Sequence, residues 1–447
     1  MDSTKPVRNF IQFLWPSMLT MIMLAVYTFA DTFVVGQRLG STALGAMGIC
    51  TPVLTITYAF GFLFGMGGAS HYALSMGRGQ KKIAREYFST AVCLPLLSGA
   101  AAAVVLNLAA RPFALFLGAD SENLPYVMPY LRVLLCYIPG FMMDVLMMSF
   151  MKNEGHPTIA MIATATGSGL NVVLDFVFVF GLDMGMFGAA FATELCSGIG
   201  LLINLSFAAA LHMNLRLEKP TWHGGIARKI LSNGFSILIL EASSGIVTFV
   251  YIHSAQRLYG EIGAGVYTII MNWSLIFTNL TMGIAQAMQP LVSYSCGKGD
   301  RSMMKRYLSY ALICAVILGA FDMMISFAAA RPMSGVFADD NPEVVATATG
   351  AFRLYLPAFF LMAFGISIGY YFEAAARAGE ATVIMLLRGM VLPVIFALLL
   401  PFLFGKNGLW LAVPASEAVT SAVAIALIRK RNRRSDSAVS SPVSEAH

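Results

Sequence analysis

Charge is scarce in this sequence. Only 12% of its 447 residues are Asp, Glu, Lys or Arg, about half the share of a soluble domain, which excludes an ordinary water-soluble globule. Histidine and cysteine number six each, and no CxxC, HxxxH or HExxH pattern occurs, so neither a metal centre nor a redox pair is expected. The phosphate-cradling Walker loop is missing, which argues against ATP hydrolysis. No nucleophile and base stand in an arrangement that marks an enzyme, and no cofactor is expected. A short cleavable signal is missing too; the first apolar run is full length and should serve as its own insertion signal.

What the chain has is apolar length. Hydrophobic residues make up 58% and mean hydropathy is +0.73. A bilayer core needs about 20 residues of helix, and twelve runs qualify: 10–36, 44–72, 87–109, 126–151, 158–180 and 187–211, then 235–258, 263–294, 307–330, 349–372, 383–404 and 408–428. The expected fold is all-α and membrane-integral, with both termini cytoplasmic. That orientation leaves only Arg38, Arg111, Arg257, Arg331 and Lys406 on the far side, with Arg132, Arg353 and Arg388 within or at the ends of spans. The net charge of +6 then reads as topology and contact with anionic lipid, not nucleic acid.

The chain nearly repeats itself. Gly45, Ser75, Gly77, Gly79 and Tyr87 recur as Gly265, Ser295, Gly297, Gly299 and Tyr307, and Arg111-Pro112 as Arg331-Pro332. Tyr137 and Pro139 pair with Tyr355 and Pro357, Gly155 with Gly379, and Glu194 with Glu417. Two six-span lobes follow, residues 1–211 and 231–428, joined by a cytoplasmic linker 212–230 and followed by a basic, Ser-rich tail 429–447 that should be disordered beyond Arg434. Six spans per lobe is even, so the lobes are parallel repeats about an axis along the membrane normal, with a substrate path expected in the cleft between them. The acids do not repeat with the scaffold: Asp31 falls on Tyr251, Asn171 on Ile395 and Asp175 on Leu399.

Ionisable groups inside a bilayer are costly and normally face a cavity or a partner. Asp31 on the first span, Asn171 and Asp175 four apart on the fifth, and Thr193 with Glu194 on the sixth all fall at one outer level, so they can share a pocket. Two carboxylates there should hold at least one proton between them as a coupled pair, and their oxygens would also suit sodium. The plainer alternative is that these groups only pin helices together, most of all Glu194, since Glu417 repeats it. Asp144, Glu241 and Glu373 are candidates for the cleft or substrate, with snorkelling the alternative for Asp144 and Glu373; Asp322 has no evident partner. Tyr27 and Tyr137 are among the aromatics that could attract organic cations, or simply pack. Pro16 should kink the first helix fifteen residues before Asp31.

The GxG loops Gly77-Arg-Gly79 and Gly297-Lys-Gly299, the segment Lys152-Asn-Glu-Gly-His-Pro157 and Gly188-Ala-Ala-Phe-Ala-Thr193 resemble the multidrug and toxic compound extrusion (MATE) family over about residues 8–430, with spacing similar to its MepA-like subgroup. That resemblance implies two lobes around a cleft opening alternately to each side. In the DinF-like branch it implies a cation site at the positions of Asp31, Asn171, Asp175 and Thr193, with Pro16 as the kinking proline. Glu241 is not in clear register with the NorM-like acid of the seventh helix, and the tenth-helix acid has no match. The expected activity is export of small amphipathic, often cationic, drugs in exchange for protons or sodium, by a monomer in the bacterial cytoplasmic membrane. A flippase for lipid-linked saccharides is the alternative, and Arg132 and Arg353 are the residues that would distinguish it.

Overall fold

The structure is a computed structural model that describes residues 5–211, 213–218, 225–260, 262–335 and 342–440. Among the described residues helices are joined by short turns and there is no strand. The first lobe comprises α1 (Pro6–Gly40), α2 (Thr42–Gly77), α3 (Lys81–Leu108), α4 (Leu124–Asn153), α5 (Pro157–Gly181) and α6 (Gly185–Ala210). The second comprises α7 (Ile226–Tyr259), α8 (Ile262–Gly297), α9 (Arg301–Gly335), α10 in two pieces (Pro342–Tyr355 and Pro357–Ala374), α11 (Ala378 to Phe404) and α12 (Gly408–Ser440). Eleven described segments are long and apolar enough to cross a bilayer. The last of them, Ala378–Arg431, has 54 residues, nearly three times the roughly 20 that one crossing needs. It divides at Gly405 (φ 59°, ψ −150°), a conformation that glycine adopts without a Cβ penalty. The chain is an all-α protein of twelve membrane helices.

Several boundaries differ from the sequence reading. A short helix, Ala110–Phe116, follows α3. α10 is interrupted before Pro357, whose ring nitrogen has no hydrogen for the helical ladder. α12 runs helical to Ser440, where disorder was expected beyond Arg434; no Gly or Pro interrupts 429–440. Residues 212 and 219–224 of the linker and 441–447 of the tail lie outside the described residues. Pro16 keeps helical torsions, and the non-helical residue between α1 and α2 is Gly40 (φ 83°).

The repeat also needs one correction. Gly155 is left-handed (φ 99°), its N–H bonds to the Lys152 carbonyl and the next N–H to that of Met151. In the second half the same turn is made by Ala376 (φ 54°), with bonds back to Glu373 and Phe372. Ala376, not Gly379, is therefore the mate of Gly155. Lys152 and Glu373 hold equivalent places with opposite charge.

The lobes meet closely at the end carrying the GxG turns, called here the basic end. A Cβ on Gly77 would lie 2.2 Å from the Tyr294 carbonyl oxygen, and one on Gly297 2.0 Å from that of Leu74. Gly234 comes equally near Leu63. These glycines let backbone lie on backbone. Residues 61–70 of α2 and 283–293 of α8 are buried without exception, whereas Ile56 and Leu275, nearer the other ends of those helices, are each 50% exposed. The cleft is shut at the basic end.

Candidate functional site

Asn171 and Asp175 stand one turn apart on α5, and Asp175 is the last residue before a wider π-turn, Phe176–Gly181; such turns often sit at functional sites. Across from them α6 offers Thr193, whose Oγ1 accepts a hydrogen bond from Asn171 Nδ2 at 3.4 Å and donates to the Ala189 carbonyl. Asp31 on α1 lies within electrostatic range of Asp175. All four side chains are buried, Asp175 completely. Asp31 Oδ1, Asn171 Oδ1 and both carboxylate oxygens of Asp175 have no hydrogen-bond partner. Among the described residues no Lys, Arg or His forms an ion pair with them. Uncompensated buried oxygens are expensive, and carboxylate and amide oxygens left without partners are the kind that suit a proton or a hard cation preferring oxygen ligands.

Beside this group is a cavity of about 70 Å³. Asn171 and Thr193 line it, as do Tyr27, Tyr58, Phe141 and Asp144. The Asp144 carboxylate accepts a hydrogen bond from Ser197 at 3.1 Å. Gly200 opposite would place a Cβ only 3.3 Å from its other oxygen, so a small residue on α6 makes room for the acid. Asp144 thus shares a cavity with Asn171 and Thr193 rather than snorkelling to an interface. Glu194 is buried, with Oε2 unpartnered, and is in electrostatic range of Asp144. With Tyr137 it lines a separate groove between α4 and α6, where the Tyr137 hydroxyl lies over Gly198.

The second lobe solves the same problem differently. Glu417 pairs with Arg388 at 2.9 Å, both side chains under 10% exposed, and Glu241 is in range of the same guanidinium. Tyr251, at the repeat position of Asp31, is 1% exposed. Glu194 and Glu417, which the sequence suggested share one task, differ in the feature that matters: one has a resident cation and the other has none.

Glu373 does not line the cavity. It is 0% exposed and hydrogen-bonded at the basic end to Ser70 and Asn233. Sequence reasoning noted Arg388 only as a span residue and Lys152 only as part of a family motif, and missed Gln286, Gln289 and Asn233. Their signal was present: an arginine within an apolar run facing an acid one span on, and two glutamines three apart within another. Asp322 is buried with Oδ2 unpartnered. Arg132 and Arg353 are both exposed, and Arg353 lies over the Phe327 ring at 5.5 Å; neither lines the cavity.

The MatE family model matches residues 16–177 and again 237–399, two copies in register with the two lobes. The chain is similar to the multidrug export protein MepA of Staphylococcus saprophyticus, 23% identical over 432 residues that cover 96% of this chain and 94% of the relative. It is also similar to MepA of Staphylococcus aureus strain MRSA252, 24% identical over 434 residues, covering 94% and 92%. Among solved structures, the outward-facing conformation of a multidrug resistance MATE family transporter of the MOP superfamily aligns with a TM-score of 0.90 at 23% identity, over 95% of this chain and 96% of that one. A MATE in the bent conformation aligns with a TM-score of 0.88 at 23% identity, over 96% and 95%. Likeness at that identity establishes the fold.

Proposed function

The chain belongs to the MatE family, and from that premise we propose that it is an antiporter that exports amphipathic organic cations from a bacterial cell, driven by protons or sodium. The reading is supported above all by one contrast at equivalent positions: among the described residues Glu194 of the first lobe, like Asp31 and Asp175, is buried without an ion-pair partner, while its repeat mate Glu417 is neutralised by Arg388. A site that lacks a counterion must take one from solution, and only an exchangeable cation can couple to a gradient. Asp31, Asn171, Asp175 and Thr193 hold the coupling ion; Asp144, with Tyr27, Tyr58 and Phe141 around it, receives the charged head of the substrate against acid and ring faces.

An ion shifts a two-state equilibrium only through its differential affinity for the two states. With both termini cytoplasmic, the shut basic end faces inward, and Asp31 and Asp175 lie toward the open side. A proton or sodium ion entering there weakens the pull of the acid cluster on a bound cation, which leaves outward. The empty, ion-loaded carrier then turns inward. Arg353 lies over the Phe327 ring and Arg132 faces the groove between α4 and α6, so neither presents a positive charge to the cavity, which weighs against an anionic lipid-linked saccharide there. The test is uptake of a fluorescent organic cation into everted membrane vesicles. Asp144→Asn should raise KM about tenfold, the loss of about 1.4 kcal/mol of attraction, with far less effect on a neutral substrate; an equal effect on both would remove Asp144 from substrate recognition.

A further inference from the structure

A continuous chain of buried polar side chains crosses between the lobes at the basic end. Asn153 Nδ2 on α4 donates to Gln289 Oε1 on α8 at 3.0 Å. Gln289 Nε2 donates to Ser70 Oγ on α2 at 2.7 Å, and Ser70 Oγ lies 2.5 Å from Glu373 Oε1 on α10. Asn233 Nδ2 on α7 reaches the same oxygen at 3.1 Å and the Glu373 carbonyl at 3.2 Å. Separating the lobes must break this chain at Asn153–Gln289, Gln289–Ser70 and Ser70–Glu373.

Glu373 is wholly enclosed, its Oε2 has no partner, and no cation pairs with it among the described residues. The charged and titratable groups on the elements around it are engaged elsewhere. Lys152 Nζ donates to Gln286 Oε1 at 2.8 Å, His71 of α2 stacks on Tyr87, Lys229 of α7 lies by His71, and Lys298 of α8 sits over Tyr294. On its own helix, Tyr370 is the titratable group in range. The single hydroxyl hydrogen of Ser70 can serve either the Met66 carbonyl at 2.9 Å or Glu373 Oε1; when it bonds to Met66, the contact between Ser70 and Glu373 requires a proton on the acid. An ionised Glu373 would be a lone buried charge, which costs several kcal/mol.

We propose that Glu373 is a second proton site, placed at the inner gate: it holds a proton while the lobes are shut at the basic end and releases it to cytoplasmic water when they part. The carboxylic O–H bond breaks, water accepts the proton, and the hydrated carboxylate holds the gate open until it is protonated again. This rests on the alternating-access reading above. Closing the gate takes up one proton, so raising pH favours the open gate, with the open-to-closed ratio rising by up to tenfold per pH unit.

The experiment places spin labels at Lys81 and Arg301, exposed residues just after the two GxG turns, and measures their separation from pH 5 to 9 in the purified full chain. The wild type should lengthen as pH rises. Glu373→Gln, which keeps shape and acceptor but cannot ionise, should stay short throughout, and Ser70→Ala, which keeps the acid, should retain a pH-dependent change with a displaced midpoint. Opening of Glu373→Gln at the wild-type midpoint would overturn the proposal while leaving alternating access intact. A wild type that never lengthens, even with substrate, would overturn both.

Discussion

The ion pair between Arg388 and Glu417 offers the sharpest test of how the two lobes differ. Arg388→Gln strands Glu417, 3% exposed, beside Gly365, where a Cβ would be 3.3 Å from its Oε2, so water has little room to replace the guanidinium. Breaking a buried pair by removing one partner costs about 3–5 kcal/mol. Glutamate can limit that loss by taking a proton. At pH 7, protonating a carboxylate whose ordinary value is about 4.3 costs about 3.7 kcal/mol, at 1.36 kcal/mol per unit. The penalty in Arg388→Gln should therefore be about 3–4 kcal/mol at pH 7 and shrink by about 1.4 kcal/mol for each unit of acidification, vanishing near pH 4–5. The sign follows because the folded variant holds a proton that the unfolded chain has released at neutral pH. The assay is equilibrium unfolding in detergent at several pH values, with Arg388→Gln/Glu417→Gln as the second corner of the cycle; the double variant should recover most of the loss and still transport. A penalty under 1 kcal/mol, or one independent of pH, would refute the reasoning.

Other consequences are equally specific. Ala376→Gly should stabilise the protein by about 0.5–1 kcal/mol, because left-handed backbone costs a residue with a Cβ about 1–2 kcal/mol and the added freedom of glycine returns part of that; a thermal shift reads the sign. Gly297→Val puts a Cβ 2.0 Å from the Leu74 carbonyl oxygen, against a floor of 3.0 Å for real contacts. The lobes must therefore separate by about 1 Å or more at the basic end; labels at Lys81 and Arg301 should move apart and export should fall.

Much of the fold was legible because a bilayer reduces the question to apolar length. Twelve runs of the right size lead to twelve helices with little competition, and repeated glycines such as Gly77 and Gly297 mark a place where two backbones touch. The candidate cation site was legible through helical period: Asn171 and Asp175 share a face, and Thr193 lies at their depth. Period alone could not reveal partners across the lobe boundary. Glu373 looked like a cleft acid because no local pattern ties it to Ser70 on α2 or Asn233 on α7. Arg388 was invisible as a counterion for the same reason, since Glu417 lies a full span away. The Gly155–Gly379 pairing failed because the residue that makes the left-handed turn in the second half is an alanine.

The account stands on the claim that ion coupling passes through Asp31 and Asp175 in the first lobe. Its most direct test is organic-cation transport in proteoliposomes under an imposed pH gradient without sodium, then under a sodium gradient, comparing wild type with Asp31→Asn. The account predicts that the wild type responds to at least one gradient and the variant, folded and still able to bind substrate, to neither. Gradient-driven transport by Asp31→Asn at the wild-type rate would contradict it.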